Sequence, residues 1–236
     1  MKNFMLVFLI STALFCCNDV EDKSPIIENE SPDWVKLEIP IGREAFAVSG
    51  DINSTLLITT WTKAFYTTDG GKNWQLSKDF QGPVDLLERN DTVFALIATG
   101  IDTKGQSYAS TCNQYTTDYG KSWHRDTTGK YFHLANPIGM TESITGIIYR
   151  VKDNLTPTSP GSSAYHSNPS GIEKYDQLAW NEFTFPLKLK INNLHLDGNN
   201  RLYIAASSGV FNKDNHLVSP DDKSPALVYV SKVALP

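Results

Sequence analysis

The chain has 236 residues, 40% hydrophobic and 11% aromatic, which supplies ample material for a core and excludes a wholly disordered chain. Its formal charge is -5, from 21 Lys and Arg against 26 Asp and Glu. Most of that excess sits in residues 18–33; the remainder is close to neutral and has no basic stripe, which excludes nucleic acid as a partner.

At the N-terminus, Lys2 precedes an apolar stretch over residues 4–15, too short to span a bilayer as a helix. The stretch ends in Leu14-Phe15-Cys16-Cys17, which resembles the lipobox of bacterial lipoproteins, with Leu14 three residues before Cys17. The resemblance implies removal of residues 1–16, a lipid on Cys17, attachment to a membrane, and residence in the cell envelope as an outer-membrane lipoprotein. Residues 17–33 are acidic and Pro-containing, have little to bury, and are expected to form an extended tether. Acidic residues directly after a lipidated cysteine also resemble the surface-export signal of some Gram-negative lipoproteins; a plain tether is the alternative. Cys112 is then the only cysteine of the domain, so no intrachain disulfide forms and packing must hold residues 34–236 together.

Short apolar runs separated by turn clusters, with 15 Gly and 12 Pro, lean towards β structure, and no amphipathic helix is found after the tether. Trp34 opens a strand over residues 34–39. Strands over residues 45–48, 56–61 and 64–68 run into Thr67-Thr68-Asp69-Gly70-Gly71-Lys72-Asn73-Trp74. Strands over 84–87 and 93–98 precede Thr116-Thr117-Asp118-Tyr119-Gly120-Lys121-Ser122-Trp123, which begins 49 residues later. Both octets read Ser/Thr-x-Asp-x-Gly-x-x-Trp. In a tight turn the Asp and Thr side chains bond the backbone, Gly71 and Gly120 permit positive φ, and Trp74 and Trp123 start the returning strand with a large surface to pack. These octets resemble the Asp box, or BNR repeat, of sialidases, sortilin-type receptors and related propellers, and the resemblance implies structural roles for Thr67, Asp69, Gly71, Trp74, Thr116, Asp118, Gly120 and Trp123.

Weaker units share the period. A strand is expected over residues 144–151, Trp180 follows what resembles a degenerated turn, and residues 193–205 followed by 208–211 resemble other propeller repeats. Blades over residues 40–85, 86–130, 131–186 and 190–235 result, in a small all-β propeller of about four blades. The last unit stops short of an outer strand, and residues 34–39 are a strand without a blade; pairing the two closes the ring and removes an exposed edge. An incompletely closed ring is the alternative.

Sialidases also need an arginine triad, a Tyr–Glu nucleophile pair and an Asp acid. The signature of the first arginine is missing around Arg43, and Arg89, Arg125, Arg150 and Arg201 lie in no enzyme pattern. The histidines (124, 133, 166, 195 and 216) have no metal-ligand spacing, and Cys112 has no nearby histidine to activate it. No metal or cofactor site is expected. The reading is therefore a non-catalytic binding or scaffold module for a glycan or an envelope protein, with a sialidase-like glycoside hydrolase as the alternative. The enlarged loop over residues 153–176, carrying Tyr165, His166 and Tyr175, is the candidate contact.

Overall fold

In β1 (Trp34–Ile39) Val35, Leu37 and Ile39 fall on one face and Trp34 on the other, the two-residue period of a strand packed on both sides. The computed structural model describes residues 31–79 and 84–236; the signal segment, Cys17 and most of the tether lie outside them. The described residues form a four-bladed β-propeller without a helix.

Blade 1 is β2 (Ala47–Gly50), β3 (Leu56–Thr59), β4 (Lys63–Thr67) and β5 (Gln75–Asp79), hydrogen-bonded in that order. Blade 2 is β6 (Asp85–Arg89), β7 (Thr92–Ile101), β8 (Ser107–Thr116) and a divided outer edge, in which β9 (His124–Arg125) and β10 (Ala135–Pro137) pair with different halves of β8. In blade 3, β11 (Met140–Glu142) and β12 (Ile148–Lys152) come first. A projecting hairpin of β13 (Leu155–Pro157) and β14 (Tyr165–Ser167) follows, then β15 (Gly171–Tyr175) and β16 (Trp180–Phe183). Blade 4 is β17 (Ile191–Leu196), β18 (Leu202–Ala206), a second projecting hairpin of β19 (Val210–Phe211) and β20 (Leu217–Val218), and then β21 (Ala226–Ser231). Its outer strand is β1, paired with β21 from Trp34↔Ser231 to Ile39↔Ala226, so the first strand of the chain completes the last blade.

Three expectations need correction. Blade 2 does not end at residue 130 but runs on to β10, which pairs with β8. The strand expected over residues 144–151 begins only at Ile148, because Ser143 and Ile147 close a turn: the Ser143 N–H donates to the Ile147 carbonyl at 2.8 Å, and the Ser143 hydroxyl accepts from the Ile147 N–H at 3.1 Å. The enlarged loop over residues 153–176 is not a single loop, since it holds β13, β14 and β15.

Three of the four junctions between blades are apolar. Leu37, Ile39, Tyr203 and Val228 of blade 4 meet Val48, Ile58 and Phe65 of blade 1. Ala47 and Leu57 of blade 1 meet Leu86 and Val93 of blade 2, and Tyr149 and Ile172 of blade 3 meet Leu194, Ile204 and Trp34 of blade 4. Each fully buried Leu or Ile there stabilises by about 1.5–3 kcal/mol relative to exposure. A fourth cluster, with Phe94 and Leu96, packs under Tyr131 and Leu134 of blade 2's own outer segment and does not reach blade 3. The seam between blades 2 and 3 is held by polar groups instead.

Candidate functional site

The inner strands β2, β6, β11 and β17 surround a channel, and antiparallel pairing sends successive turns to opposite ends of it. One end receives the β3–β4, β7–β8, β12–β15 and β18–β21 connections and the crossings between blades. The other receives the first hairpin of each blade and both Thr-x-Asp-x-Gly-x-x-Trp turns.

The waist of the channel is pinned by Asp85, which is 3% exposed. Its carboxylate accepts from Asn136 Nδ2 at 2.6 Å, from Asn193 Nδ2 at 2.7 Å and from the Leu86 N–H at 2.9 Å. Asn193 Oδ1 accepts in turn from the Gly139 N–H at 2.8 Å and the Leu194 N–H at 2.9 Å. One carboxyl and one amide thereby join blades 2, 3 and 4 at the junction that lacks an apolar cluster. Burial pushes Asp85 up to about 7 in spite of those three donors.

The narrow mouth holds a cavity of about 690 Å³. Asp51, Glu88, Glu142, Asp197, Tyr119 and His195 line it, so it is acidic. Five of these groups already have partners. The Tyr119 hydroxyl donates to Glu88 Oε1 at 2.5 Å and the Ser49 hydroxyl to Glu88 Oε2 at 2.8 Å. Arg201 bridges Asp51 and Asp197, reaching Asp197 Oδ2 with its Nε at 2.8 Å. Burial and the Glu88 carboxylate raise the Tyr119 phenol and keep it protonated. Burial lowers His195, whose Nε2 lies 3.1 Å from the Gly50 carbonyl. Burial alone raises Asp197, but the Arg201 N–H and the Tyr203 hydroxyl outweigh it and its net direction is down.

The wide mouth holds a larger cavity of about 1150 Å³, and its wall is mostly apolar: Phe46, Trp61, Val84, Ile97, Ile101 and Ile138. Trp61 is 58% exposed and Ile101 73% exposed. The Trp61 ring lies 5.6 Å from that of Phe46, tilted by 55°. Its charged groups, Lys190 and Asp153, pair with each other at 3.2 Å.

The two Thr–Asp turns have nearly the same internal geometry. The Thr67 hydroxyl donates to Asp69 Oδ1 at 2.8 Å and accepts from the Gly71 N–H at 3.1 Å; the Thr116 hydroxyl donates to Asp118 Oδ1 at 2.7 Å and accepts from the Gly120 N–H at 2.9 Å. A side chain at Gly120 (φ +86) would meet Leu57 Cδ1 at 2.6 Å, which adds a close blade contact to the backbone requirement. Trp123 packs between blades 1 and 2, its Nε1 donating to Ser77 Oγ at 2.8 Å, and Trp74 packs between blades 4 and 1. The third turn is shortened: Asp176 accepts from the Leu178 N–H at 3.3 Å and the Ala179 N–H at 3.4 Å ahead of Trp180.

The structure separates the three residues of the candidate contact. Tyr165 (55% exposed) and His166 stand on the β13–β14 hairpin at the wide end, where His166 stacks on His216 with ring centroids 3.9 Å apart. Tyr175 is not on that loop; it ends β15 at the opposite end, against Trp180 at 5.3 Å. None of the three lines either cavity. Sequence reasoning missed Asp85, Asn193 and the Phe46–Trp61 pair. A lone Asp inside the apolar run Val84, Leu86, Leu87 was the available signal for the first. Cys112 is buried and its thiol donates to the Gln114 carbonyl at 3.1 Å; burial pushes it up to about 11, away from thiolate chemistry.

No protein-family model matches the chain, and no curated protein matches it. Among solved structures, YCF48 bound to D1 peptide is similar at 18% identity over 81% of this chain and 74% of that one, with a TM-score of 0.26. Virginiamycin B lyase from Staphylococcus aureus is similar at 12% identity over 79% of this chain and 59% of that one, with a TM-score of 0.18. Both are β-propeller proteins, the architecture described above for this chain; neither likeness assigns it a ligand or a residue role.

Proposed function

We propose that this chain is a non-catalytic binding module of the cell envelope, held to the outer membrane by a lipid on Cys17, that takes a protein partner in its wide mouth. The observation that carries the reading is the apolar wall there, with Trp61 and Ile101 left largely exposed around a cavity of about 1150 Å³. Aliphatic side chains favour an apolar peptide over a sugar, whose hydroxyls need free polar groups. Here Lys190 and Asp153 are spent on each other, and Asn192 Nδ2 is tied to the Ala45 carbonyl at 3.0 Å. The position of the N-terminus agrees with this: Trp34 enters β1 opposite Ser231, at the narrow end, so a membrane-held N-terminus joins the domain at the face away from the wide mouth. The two Thr–Asp turns act as Asp boxes and serve the fold.

A dodecapeptide library displayed on phage and panned against the full chain is expected to return binders. Trp61→Asp should weaken them at least tenfold, about 1.4 kcal/mol, with the thermal midpoint unchanged. A glycan array should stay blank. Failure to recover any Trp61-dependent peptide would remove the reading. For the anchor, intact mass of membrane-extracted protein should show loss of residues 1–16 and added acyl chains; a soluble product cut elsewhere ends it.

A second reading has one observation in its favour: the Tyr119–Glu88 pair at 2.5 Å, on a cavity wall, resembles the nucleophile pair that sialidases need. Against it, Tyr119 is driven towards the protonated phenol, and Arg201, beside the same mouth, is engaged by Asp51 and Asp197. A fluorogenic sialoside decides. Turnover abolished by Tyr119→Phe would establish the hydrolase; no turnover at millimolar enzyme-saturating substrate would close it.

A further inference from the structure

β7 changes neighbours along its length. Up to Leu96 it lies between β6 and β8; beyond Leu96, among the described residues, it keeps β8 alone. The change coincides with a bulge, a register shift between Ala95 and Leu96 that leaves Asn113 of β8 as the extra residue; just beyond it Thr111 adopts φ 64, a value β-branched residues seldom take. Past the bulge, Ile97, Thr99 and Ile101 lie in the wall of the wide mouth.

Two hydrogen bonds fix the phase of the ladder there. The Asp102 N–H donates to the Gln106 carbonyl at 2.9 Å, and the Ile138 N–H donates to the Ser107 carbonyl at 3.0 Å. Along an antiparallel strand the backbone groups of successive residues turn to opposite sides. Ser107 and Ala109 therefore turn to β10, while Tyr108 and Ser110 turn to β7, where they meet Gly100 and Ala98. Pro137, which has no N–H, falls opposite Tyr108, at a position of β10 where none is needed. Thr99 and Ile101 must then turn their N–H and C=O groups away from β8, towards the channel. No described residue pairs with them. The last bond before this edge opens is from the Val84 N–H to the Leu96 carbonyl, at 2.8 Å, so the open edge continues the line of β6. Edges of this kind are normally blunted by charge, Pro or a covering segment; this one is flanked by exposed Trp61 and Ile101.

We propose that the wide mouth takes its partner as an added β-strand: an extended protein segment pairs with Thr99 and Ile101 in line with β6 and lays alternate side chains against the Phe46–Trp61 wall. The proposal rests on the binding reading above and names the form of its ligand. The unpaired ladder selects an extended peptide backbone, and the apolar wall selects what every second side chain must be.

The probe is the dodecapeptide recovered from the displayed library, resynthesised with a single N-methyl group at each amide in turn, and the target is the isotope-labelled full chain. N-methylation should weaken binding tenfold or more at alternating amides and little at those between. The Thr99 and Ile101 amides, open to exchange in the free protein, should become at least tenfold slower with the peptide bound. Thr99→Pro removes an N–H that bonds no other described residue, and should lower affinity tenfold or more with the thermal midpoint preserved; if that variant unfolds, the N-methyl series and the exchange rates decide alone. Trp61-dependent binding that tolerates methylation at every amide, with Thr99 and Ile101 unprotected, overturns strand addition and leaves the binding reading standing. A library that yields no Trp61-dependent peptide overturns both.

Discussion

Asp85 shows how one side chain at a polar seam makes stability depend on pH. Its folded pKa of about 7 stands well above the ordinary 3.8, so the folded chain holds a proton that the unfolded chain gives up. Its contribution is complete below about pH 4 and is lost as pH rises through 7. His195 works the other way, because burial lowers it and the unfolded chain takes up the proton as pH falls through 6.5. The difference between wild type and Asp85→Asn cancels the histidine. Measured by urea unfolding, the wild-type advantage should shrink by about 2–3 kcal/mol between pH 5 and pH 8. A constant difference would mean that the Asn136 and Asn193 amides hold the carboxylate charged. Asp69 tests another window. The Asn73 side chain and backbone and the Thr67 hydroxyl hold its carboxylate down at about 2, so its contribution is present above pH 4 and lost only as pH falls to about 2.

At the scale of the element, the two Thr–Asp turns look alike yet their tryptophans differ. Trp123 Nε1 has Ser77 Oγ as acceptor, and Ser77 donates to the Gly120 carbonyl at 2.5 Å, so the indole is tied to the turn. Trp74 Nε1 is buried with no partner among the described residues. Trp123→Phe should therefore cost about 1–2 kcal/mol, while Trp74→Phe, which deletes an unpaired donor, should be neutral or stabilising. Truncation to Ala at either site should cost about 3 kcal/mol by emptying a blade junction. Thermal or denaturant unfolding reads all four variants. Equal losses for the two Phe variants would show that the Ser77 bond contributes nothing. The β13–β14 hairpin is expected to be dispensable for the cavity: replacing residues 155–167 by a short Gly-Ser linker should weaken peptide capture less than about threefold, well under one kcal/mol.

For the whole molecule, closure rests on β1. Its six pairs with β21 cover an edge that carries Val228, Tyr229 and Val230, all buried. Deleting residues 34–39 should lower the thermal midpoint sharply or cause aggregation, and deleting residues 18–30 should do neither. Matching behaviour of the two truncations would show that the strand closes nothing. With three apolar junctions and one polar, the ring should open first between blades 2 and 3, where backbone hydrogen exchange at Leu86, Gly139 and Leu194 reports it.

What the sequence determined by itself is what short-range chemistry dictates. The side chains of Thr67 and Asp69, and of their counterparts Thr116 and Asp118, bond within their own turns, so eight residues suffice to read each turn and the strand on either side. The alternation of Val35, Leu37 and Ile39 with Lys36 and Glu38 likewise marks a strand with an apolar face that needs a sheet to cover it. What the tertiary structure decided depends on the parity of strands and on bulges, which no local pattern records. Whether a residue lies at one end of a blade or the other is set by which turn it follows, and this sends Tyr175 to the narrow end and Tyr165 to the wide one. Asp85 becomes a pin only because β10 and β17 bring Asn136 and Asn193 to it across 51 and 108 residues of chain. The edge at Thr99 and Ile101, open among the described residues, exists because β7 runs on beside β8 after its last pair with β6, Leu96 with Asp85, a difference in strand length that no local pattern records.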